Sequence, residues 1–257
     1  WSKMTFNYIG MWTIFKKEIK RTRKIVNQVV WPPIISVLLY SFVFGISLGS
    51  KISEIEGIPY LHFLIPGLIM MSVIDNSYSE GSASLFINKF LNSLQDLLIA
   101  PLSTLEIIMG YVFGGVIRGV LIGSLIFVVS KIFLRYSISH FFLFILFMII
   151  VSIIFSSIGI IIALWADDFD ELAVLSTFFI TPLIFFGGVF HSINLLPETL
   201  QKISLYNPLF YMIDGFRYSI VEVSVVSVWR SLGIISIFAV VSLSFAYYLF
   251  NKGYKIK

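Results

Sequence analysis

The segment Thr181–Arg217 reads TPLIFFGGVFHSINLLPETLQKISLYNPLFYMIDGFR, and it decides how the rest of the chain is interpreted. An apolar run stops at a pair of glycines, and a short amphipathic stretch bounded by prolines follows before the chain becomes apolar again. The interrupting residues are Pro182, Gly187, Gly188, Pro197 and Pro208. Proline and paired glycine break the backbone hydrogen-bond ladder, and unpaired amide groups cannot face lipid. At membrane depth such a segment must be buried in protein or line a wet cavity, which predicts a gate.

Composition places the chain in a membrane. Of its 257 residues, 58% are hydrophobic and only 12% are charged, whereas soluble domains are typically ~45–50% apolar and ~25% charged. The net charge of +4 could suggest nucleic-acid binding. We exclude that partner because the basic residues lie beside apolar runs and not on a soluble face. The sequence contains no cysteine, which excludes disulfides and thiol chemistry.

Six segments are long and apolar enough to be predicted as transmembrane helices, since a bilayer core of ~30 Å requires ~20 helical residues. They are residues 31–49, 59–77, 105–134, 140–165, 172–190 and 229–250. The predicted fold class is therefore an all-α integral membrane protein with one transmembrane domain over residues 1–257. Residues 191–226 are predicted to form an outer re-entrant helical hairpin, because Asp214, Arg217 and Glu222 make a poor lipid-facing span.

The distribution of Lys and Arg predicts the orientation. A basic segment precedes the first span, and Lys252, Lys255 and Lys257 follow the last. Six spans bring both termini to one side, so the positive-inside rule predicts that both are cytoplasmic. The basic segment, residues 1–30, alternates apolar and cationic positions, as an interfacial helix does; a plain cluster of topogenic charges is the alternative. Trp31-Pro32-Pro33 is predicted to mark a bend into the first span.

A second amphipathic stretch, Leu85–Ala100, is predicted to be a short cytoplasmic helix between the second and third spans, ended by Pro101. Apolar residues, including Phe86 and Phe90, recur at spacings of three and four on one face. The other face is polar and consists of Asn88, Lys89, Asn92, Gln95 and Asp96. This helix could dock a soluble partner or could only cap the bundle, and the pattern leaves both readings open.

No enzymatic motif is present in the sequence. There is no GxxxxGK[ST] loop to hold nucleotide phosphates, so any ATP must be bound by another chain. The three histidines, His62, His140 and His191, lie far apart, and neither a metal site nor a Ser/His/Asp arrangement is predicted.

The third predicted span contains one charged residue near its middle, Arg118. It lies on the flank of a stripe formed by Gly115, Gly119 and Gly123 that would let another helix approach closely. Glu106 precedes Arg118 by twelve residues, about 18 Å along a helix, and cannot pair with it. An interhelical bond and a role in a cavity are equally open for Arg118, while Glu80 and Glu106 are interpreted as lying at the inner water boundary.

An ordered set of short motifs runs through most of the chain. It comprises Pro66-Gly67-Leu68-Ile69-Met70-Met71, Ile99-Ala100-Pro101-Leu102, Gly110-Tyr111-Val112, Arg118-Gly119, Asp168-Phe169-Asp170, Pro182–Phe190, Leu196-Pro197, Asn207-Pro208-Leu209, Tyr211 and Arg217-Tyr218. Together with the basic approach segment, this set resembles the permease subunit of ABC-2 type exporters, in the bacterial branch of YadH-like inner-membrane transport permeases. The C-terminal motifs are specific, and their order makes the resemblance strong.

The resemblance implies the type V ABC exporter fold in a bacterial inner membrane, with two permease chains, expected to be a homodimer, above two separate ATPase subunits. ATP and Mg would be held by those subunits, and this chain would bind no cofactor or metal. Residues 1–30 would be the connecting helix, and Leu85–Ala100 the coupling helix. The implied ATPase contacts are Phe86, Lys89, Phe90, Asn92, Gln95 and Asp96. The implied path or gate residues are Arg118, Pro182, Gly187, Gly188, Pro197, Asn207, Pro208 and Arg217.

The expected function is export of a hydrophobic or amphipathic substrate, such as a drug, lipid or glycan-like molecule. Two alternatives remain at this point: a secondary transporter driven by an ion gradient, and a membrane scaffold without cargo. A secondary transporter would often show internal repeats and more buried acids on broken helices, and no clear repeat is present in the sequence.

Overall fold

The computed structural model describes residues 7–47, 54–134 and 136–255. Helices dominate this part of the chain, and a two-stranded antiparallel ribbon pairs Ile55 with Ile58. The elements are α1 (Tyr8–Lys24), α2 (Val26–Ser47), β1 (Glu54–Ile55), β2 (Ile58–Pro59), α3 (Tyr60–Phe90), α4 (Leu94–Ile99), α5 (Thr104–Phe133), α6 (Phe141–Trp165), α7 (Phe169–Leu175), a π-helical segment (Ser176–Ile180), α8 (Thr181–Phe186), a 3₁₀ turn (Ile193–Leu195), α9 (Glu198–Tyr206), α10 (Pro208–Val221) and α11 (Val228–Asn251).

Within the described residues, five helical segments are long and apolar enough to cross a membrane. They are Val26–Gly45, Thr104–Phe133, Phe141–Trp165, Phe169–Phe186 and Val228–Asn251. The predicted span 59–77 does not meet the same standard of apolarity, although all of it except Pro59 lies within α3, the longest helix described, at 31 residues. The reason is its polar content, since α3 carries Ser, Asn, Asp and Glu side chains, most of them buried against neighbouring helices.

The predicted bend at Trp31-Pro32-Pro33 marks the wrong place for the start of the first membrane helix. The chain breaks earlier, at Ile25, and both prolines lie inside α2. The N-terminal basic segment is a helix, as predicted, but it ends at Lys24 and not at residue 30. Residues 1–6 of that prediction, and residues 48 and 49 of the first predicted span, lie outside the described residues.

The predicted span 172–190 is the most irregular of the membrane segments. It is built from α7, the π-helical segment and α8, and it ends at Phe186. The π-helical segment comes just before Pro182, which has no N–H to donate to a backbone hydrogen bond of the helix. The Thr181 hydroxyl donates to the Ser176 carbonyl at 2.9 Å. A π-turn is one of the few ways in which a helix accommodates such a residue without breaking.

The centre of the bundle is α3, which packs against α5, α6, α10 and α2. The glycine stripe of α5 permits this packing within the chain. A Cβ atom at Gly119 would collide with the hydroxyls of Ser77 on α3 and Ser152 on α6, and a Cβ at Gly115 would collide with Ser156. The glycine stripe therefore packs helices of the same chain, and it does not indicate a contact with a second copy of the chain.

We expect Gly119→Val to destabilise the protein by roughly 1–3 kcal/mol, because the added methyl groups force α5 away from α3 and α6. The unfolding free energy in mixed micelles measures this effect. Gly233→Val on α11 is the matched control, since a Cβ there meets nothing within 4 Å. Equal losses for the two variants would show that helix propensity, and not packing, explains the result.

The two ends of the bundle collect different elements. At one end, the Asn7 amide donates to Glu106 at the start of α5, Thr104 contacts Asn251 at the end of α11, and Lys255 binds Asp167 after α6. The other end holds the β-ribbon, α9 and α10. The first and last described residues of the chain therefore lie at the same end of the bundle. The even number of predicted spans requires this arrangement.

Candidate functional site

A row of polar side chains on α3 forms the first part of the candidate site. Serine, asparagine and glutamate recur every four residues, so that neighbouring members lie one turn apart and the row winds slowly around the helix. The row consists of Ser72, Asn76, Glu80, Ser84 and Asn88, and each of these residues is buried. Because a polar group removed from water must find a partner, such a row indicates a structured network facing other helices.

Glu80 is the hub of that network. Its carboxylate lies 2.7 Å from the Arg21 guanidinium on α1 and 2.6 Å from that of Arg118 on α5. The Thr22 hydroxyl donates to the same carboxylate at 3.2 Å. Arg118 also donates to the side-chain oxygen of Asn76 at 3.3 Å. One buried acid thus joins the N-terminal helix to two helices of the bundle. We call Glu80 and its partners Arg21, Thr22, Arg118 and Asn76 the Glu80 network.

Glu18 adds a second acid to the network from α1. It lies 3.2 Å from Arg21 and accepts a hydrogen bond from Ser84 at 2.5 Å. Burial raises the pKa of the Glu18 carboxyl, and the nearby charge of Arg21 and the bond from Ser84 oppose that rise. One turn away, Lys17 donates to Asn88 at 2.8 Å. The helix α1 is therefore held against the bundle by its charged side chains as well as by Ile14 and Phe15.

The structure shows that Arg118 forms an interhelical ion pair, one of the two readings left open by the sequence. Glu80, interpreted from the sequence as lying at the inner water boundary, has a buried side chain that is paired with two arginines, and its depth in the membrane stays a prediction. Sequence reasoning also missed Glu18 and Arg21. The polar residues spaced by four on α3 and the i, i+3 pair of Glu18 and Arg21 on α1 were visible in the sequence. Neither pattern shows which other helix its residues contact.

Arg217 on α10 organises the opposite end of the bundle. Its Nε donates to the Phe63 carbonyl at 3.1 Å, and its Nη2 donates to the Gly188 carbonyl at 2.6 Å. The guanidinium also lies 3.7 Å from the centre of the Phe63 ring. Gly188 has φ +83°, a left-handed conformation that favours glycine. We call Arg217, Gly188 and Phe63 the outer clamp.

Two further side chains fix the segments around the outer clamp. Asn207, between α9 and α10, donates to the Leu183 carbonyl at 2.7 Å and accepts from the Leu209 amide at 3.0 Å. Asp214 accepts from the Val225 amide at 2.9 Å and from the Val226 amide at 3.1 Å. These bonds satisfy backbone groups of an irregular segment, as membrane depth demands.

The predicted gate residues are thus brought together only in part. Gly187, Gly188, Asn207 and Arg217 meet around the end of α8, while Arg118 belongs to the Glu80 network. Pro182 lies in the first turn of α8, Pro197 precedes α9, and Pro208 begins α10. Their roles in transport stay predictions.

Comparison with known proteins identifies the family of this bundle. The profile described as "ABC-2 type transporter" matches residues 10–221, a range that includes the Glu80 network and the outer clamp. This chain belongs to the ABC-2 type transporter family.

Its relatives agree with that membership. The permease is 37% identical over 250 residues to the inner membrane transport permease YadH of Escherichia coli strain K12, covering 97% of this chain and 98% of that protein. It is 26% identical to nodulation protein J of Rhizobium leguminosarum bv. viciae, covering 79% of each chain. The ABC-2 domain is the membrane part of an ABC transporter and not the ATPase, and family membership implies an ABC ATPase as partner. An inner-membrane location agrees with the first relative and with the five candidate spans.

The segment of the permease predicted to contact the ATPase differs from the sequence prediction in one respect. Leu85–Ala100 is not a single helix, because α3 continues to Phe90 and α4 begins only at Leu94. Asn92 between them has φ +56°, a conformation that asparagine tolerates better than most residues and that interrupts a right-handed helix.

The six predicted contact residues of the permease separate into two groups. Phe86 is 1% exposed and packs against Phe169 of α7, and Lys89 donates to the carbonyls of Leu164 and Ala166 at 2.9 and 2.7 Å. These two residues stabilise the end of α6. The other four, Phe90, Asn92, Gln95 and Asp96, are exposed.

Proposed function

We propose that this permease is the membrane half of an ATP-driven exporter that moves a hydrophobic or amphipathic substrate out of the cytoplasm. Two copies of the chain, expected to form a homodimer, would sit above two copies of a separate ATPase, which would hold ATP and Mg. The permease itself would be passive. Both of its termini, together with α1 and α4, would face the cytoplasm.

The observation that carries this proposal is an exposed apolar surface at the end of the bundle that holds α1. Phe90, Leu91, Leu98 and Ile99 lie on both sides of the Asn92 break and are 59%, 66%, 47% and 84% exposed. We call these four residues and the polar side chains between them the inner contact surface. Apolar side chains concentrated at a polar end of a membrane bundle indicate a protein partner, and the family supplies an ATPase of the required kind.

The connections of the inner contact surface support a role in coupling. It follows directly from α3, the central helix, and leads through Pro101 into α5. The Glu80 network joins α1 to the same two helices. A partner that pushes on this surface would therefore displace the helices that form the centre of the bundle.

The walls of the bundle support the substrate class. Aromatic and aliphatic side chains are exposed along α2 and α8, including Phe42, Val43, Phe178 and Phe185. A path between two copies that is lined by these side chains would suit an apolar or amphipathic cargo better than a sugar or an ion. At the other end, the outer clamp would close the exit until the ATPase acts.

We expect Ile99→Ser to weaken the association with the cognate ATPase by roughly 5- to 100-fold, because an exposed apolar anchor at an interface contributes about 1–3 kcal/mol. Co-purification and titration of the ATPase onto the permease in nanodiscs measure the effect. The matched control is Ile203→Ser on α9, at the opposite end of the bundle and also exposed.

The same preparation tests the function itself. Vanadate-sensitive transport that requires the ATPase is the expected result. Transport of substrate by the permease alone would favour the ion-driven alternative, and an ATPase complex that no cargo stimulates would favour a scaffold. Equal ATPase binding by Ile99→Ser and Ile203→Ser would exclude the inner contact surface as the interface.

A further inference from the structure

A cavity of about 240 Å³ lies between α2 and α3. Most of its wall is apolar or aromatic, including Pro32, Pro33, Tyr40 and Met71. One ionisable side chain, Asp75, lines it. The cavity belongs neither to the Glu80 network nor to the outer clamp, although Asn76, the next residue on α3, contributes to both the cavity wall and the network.

Asp75 is half-buried and differs from the buried acids of the bundle. Glu80 and Glu18 are paired with arginines, and Asp214 is bound by backbone amides. Among the described residues, no hydrogen bond or ion pair reaches the carboxylate of Asp75, which lines the cavity. An ionisable residue at membrane depth that lacks a partner is a functional candidate by default.

We propose that this cavity binds the positively charged head of the transported molecule, with Asp75 as its counter-ion. The proposal deepens the proposed function, on which it rests, by naming the cargo as a cationic amphipath that carries an amine or quaternary ammonium group.

Charge and chemistry favour a cation over other occupants. A carboxylate accepts hydrogen bonds from an ammonium and attracts a quaternary ammonium by charge alone. The Tyr40 ring supplies a face of the kind that binds such cations, and it is held in place by the Phe190 ring at 5.9 Å between centroids. Arg118, which contacts the cavity residue Asn76, is already bound by Glu80.

The volume of the cavity indicates which part of the cargo it accepts. Pockets that enclose a drug-sized ligand measure about 300–1,000 Å³, and this cavity is smaller. It therefore fits a head group, while the apolar body of the cargo would lie along the exposed aromatic and aliphatic side chains of α2, such as Phe42 and Leu39.

Binding to the permease in phosphatidylcholine nanodiscs tests the proposal without any ATPase. The probes are three forms of diphenylhexatriene that share one apolar body: trimethylammonium, uncharged and propionate. Energy transfer from tryptophan reports their binding, and the saturable part is the fraction that soluble benzyltrimethylammonium displaces. We expect a saturable component for the cationic probe alone. Asp75→Asn should weaken it by at least about tenfold, whereas Asp75→Glu should stay within about threefold.

Controls separate binding from folding and from net charge. Glu198→Gln removes one negative charge from an exposed site and should leave the binding of the cationic probe unchanged. Monodisperse elution and an unaltered melting temperature check that Asp75→Asn is folded. Equal binding of all three probes, or equal affinity in Asp75→Asn, would overturn the proposal. A loss of dimer in Asp75→Asn would overturn it as well, because the carboxylate would then pair with the second copy. Failure to bind an ATPase would refute the proposed function but would leave this charge preference measurable.

Discussion

Replacing Glu80 by glutamine lowers the unfolding free energy by roughly 3–5 kcal/mol, the expected cost of removing one partner from a buried ion pair. Glutamine matches the shape of glutamate but carries no charge, so Arg118 would lose its carboxylate partner and Arg21 would keep only Glu18, at 3.2 Å. Unfolding of the purified permease in mixed micelles measures the loss. We also expect transport to fall more than membrane insertion does, because α1 loses its main tie to α3.

A matched control for this prediction is Glu198→Gln. Glu198 also forms an ion pair, with Lys202 at 2.8 Å, but both side chains are exposed, and such pairs contribute about 0–1 kcal/mol. A second test adds Arg118→Met to Glu80→Gln, and this step should cost less than Arg118→Met alone, since the charge it removes is already unpaired. A loss for Glu80→Gln no larger than that for Glu198→Gln would contradict the assignment of Glu80 as the hub.

The second large effect is expected at Arg217. Arg217→Met removes two charge-assisted hydrogen bonds, each worth roughly 1.5–3 kcal/mol, and leaves the carbonyls of Phe63 and Gly188 without their donor. We expect the outer clamp to open and the segment after α8 to become accessible. Arg217→Lys should give an intermediate effect, because a lysine cannot reproduce the planar fork of donors.

The natural absence of cysteine makes this prediction simple to measure. Val189→Cys introduces one thiol next to Gly188, at a position that is 0% exposed. A membrane-impermeant maleimide added from outside should label it much faster in the Arg217→Met background than with Arg217 intact. Unchanged labelling rates would show that the clamp does not close the exit.

Much of the bundle could be predicted from the sequence because hydrophobic length is a direct consequence of bilayer thickness. The ends of α5, α6 and α11 lie within one residue of the ends of the predicted spans. The span 59–77 was harder to classify, since some of its polar residues, such as Asn76, are bonded inside the protein and composition cannot reveal that. The paired prolines of α2 misled the prediction in a similar way, because a local break signal was outweighed by the continuous apolar helix around it.

The candidate site was predictable only where the backbone itself is unusual. The glycine pair and the prolines after α8 marked the outer segment, and Arg217 was correctly associated with it. The Glu80 network was not foreseen, because its members come from three separate parts of the chain, and pairing between distant helices leaves no local trace. The amphipathic pattern of Leu85–Ala100 likewise could not show that Phe86 and Lys89 serve the core while Phe90, Gln95 and Asp96 face outward.

The continuity of α3 has a mechanical consequence. One helix of 31 residues, about 46 Å long, begins beside the outer clamp and ends at the inner contact surface. Near its first turn, the Tyr60 hydroxyl binds the Phe190 carbonyl at 3.1 Å and Phe63 receives Arg217. Its one proline, Pro66, lies close to that outer end. Under the proposed function, the helix would act as a lever whose proline lies near the exit, so that a push from the cytoplasm would arrive where the cargo leaves.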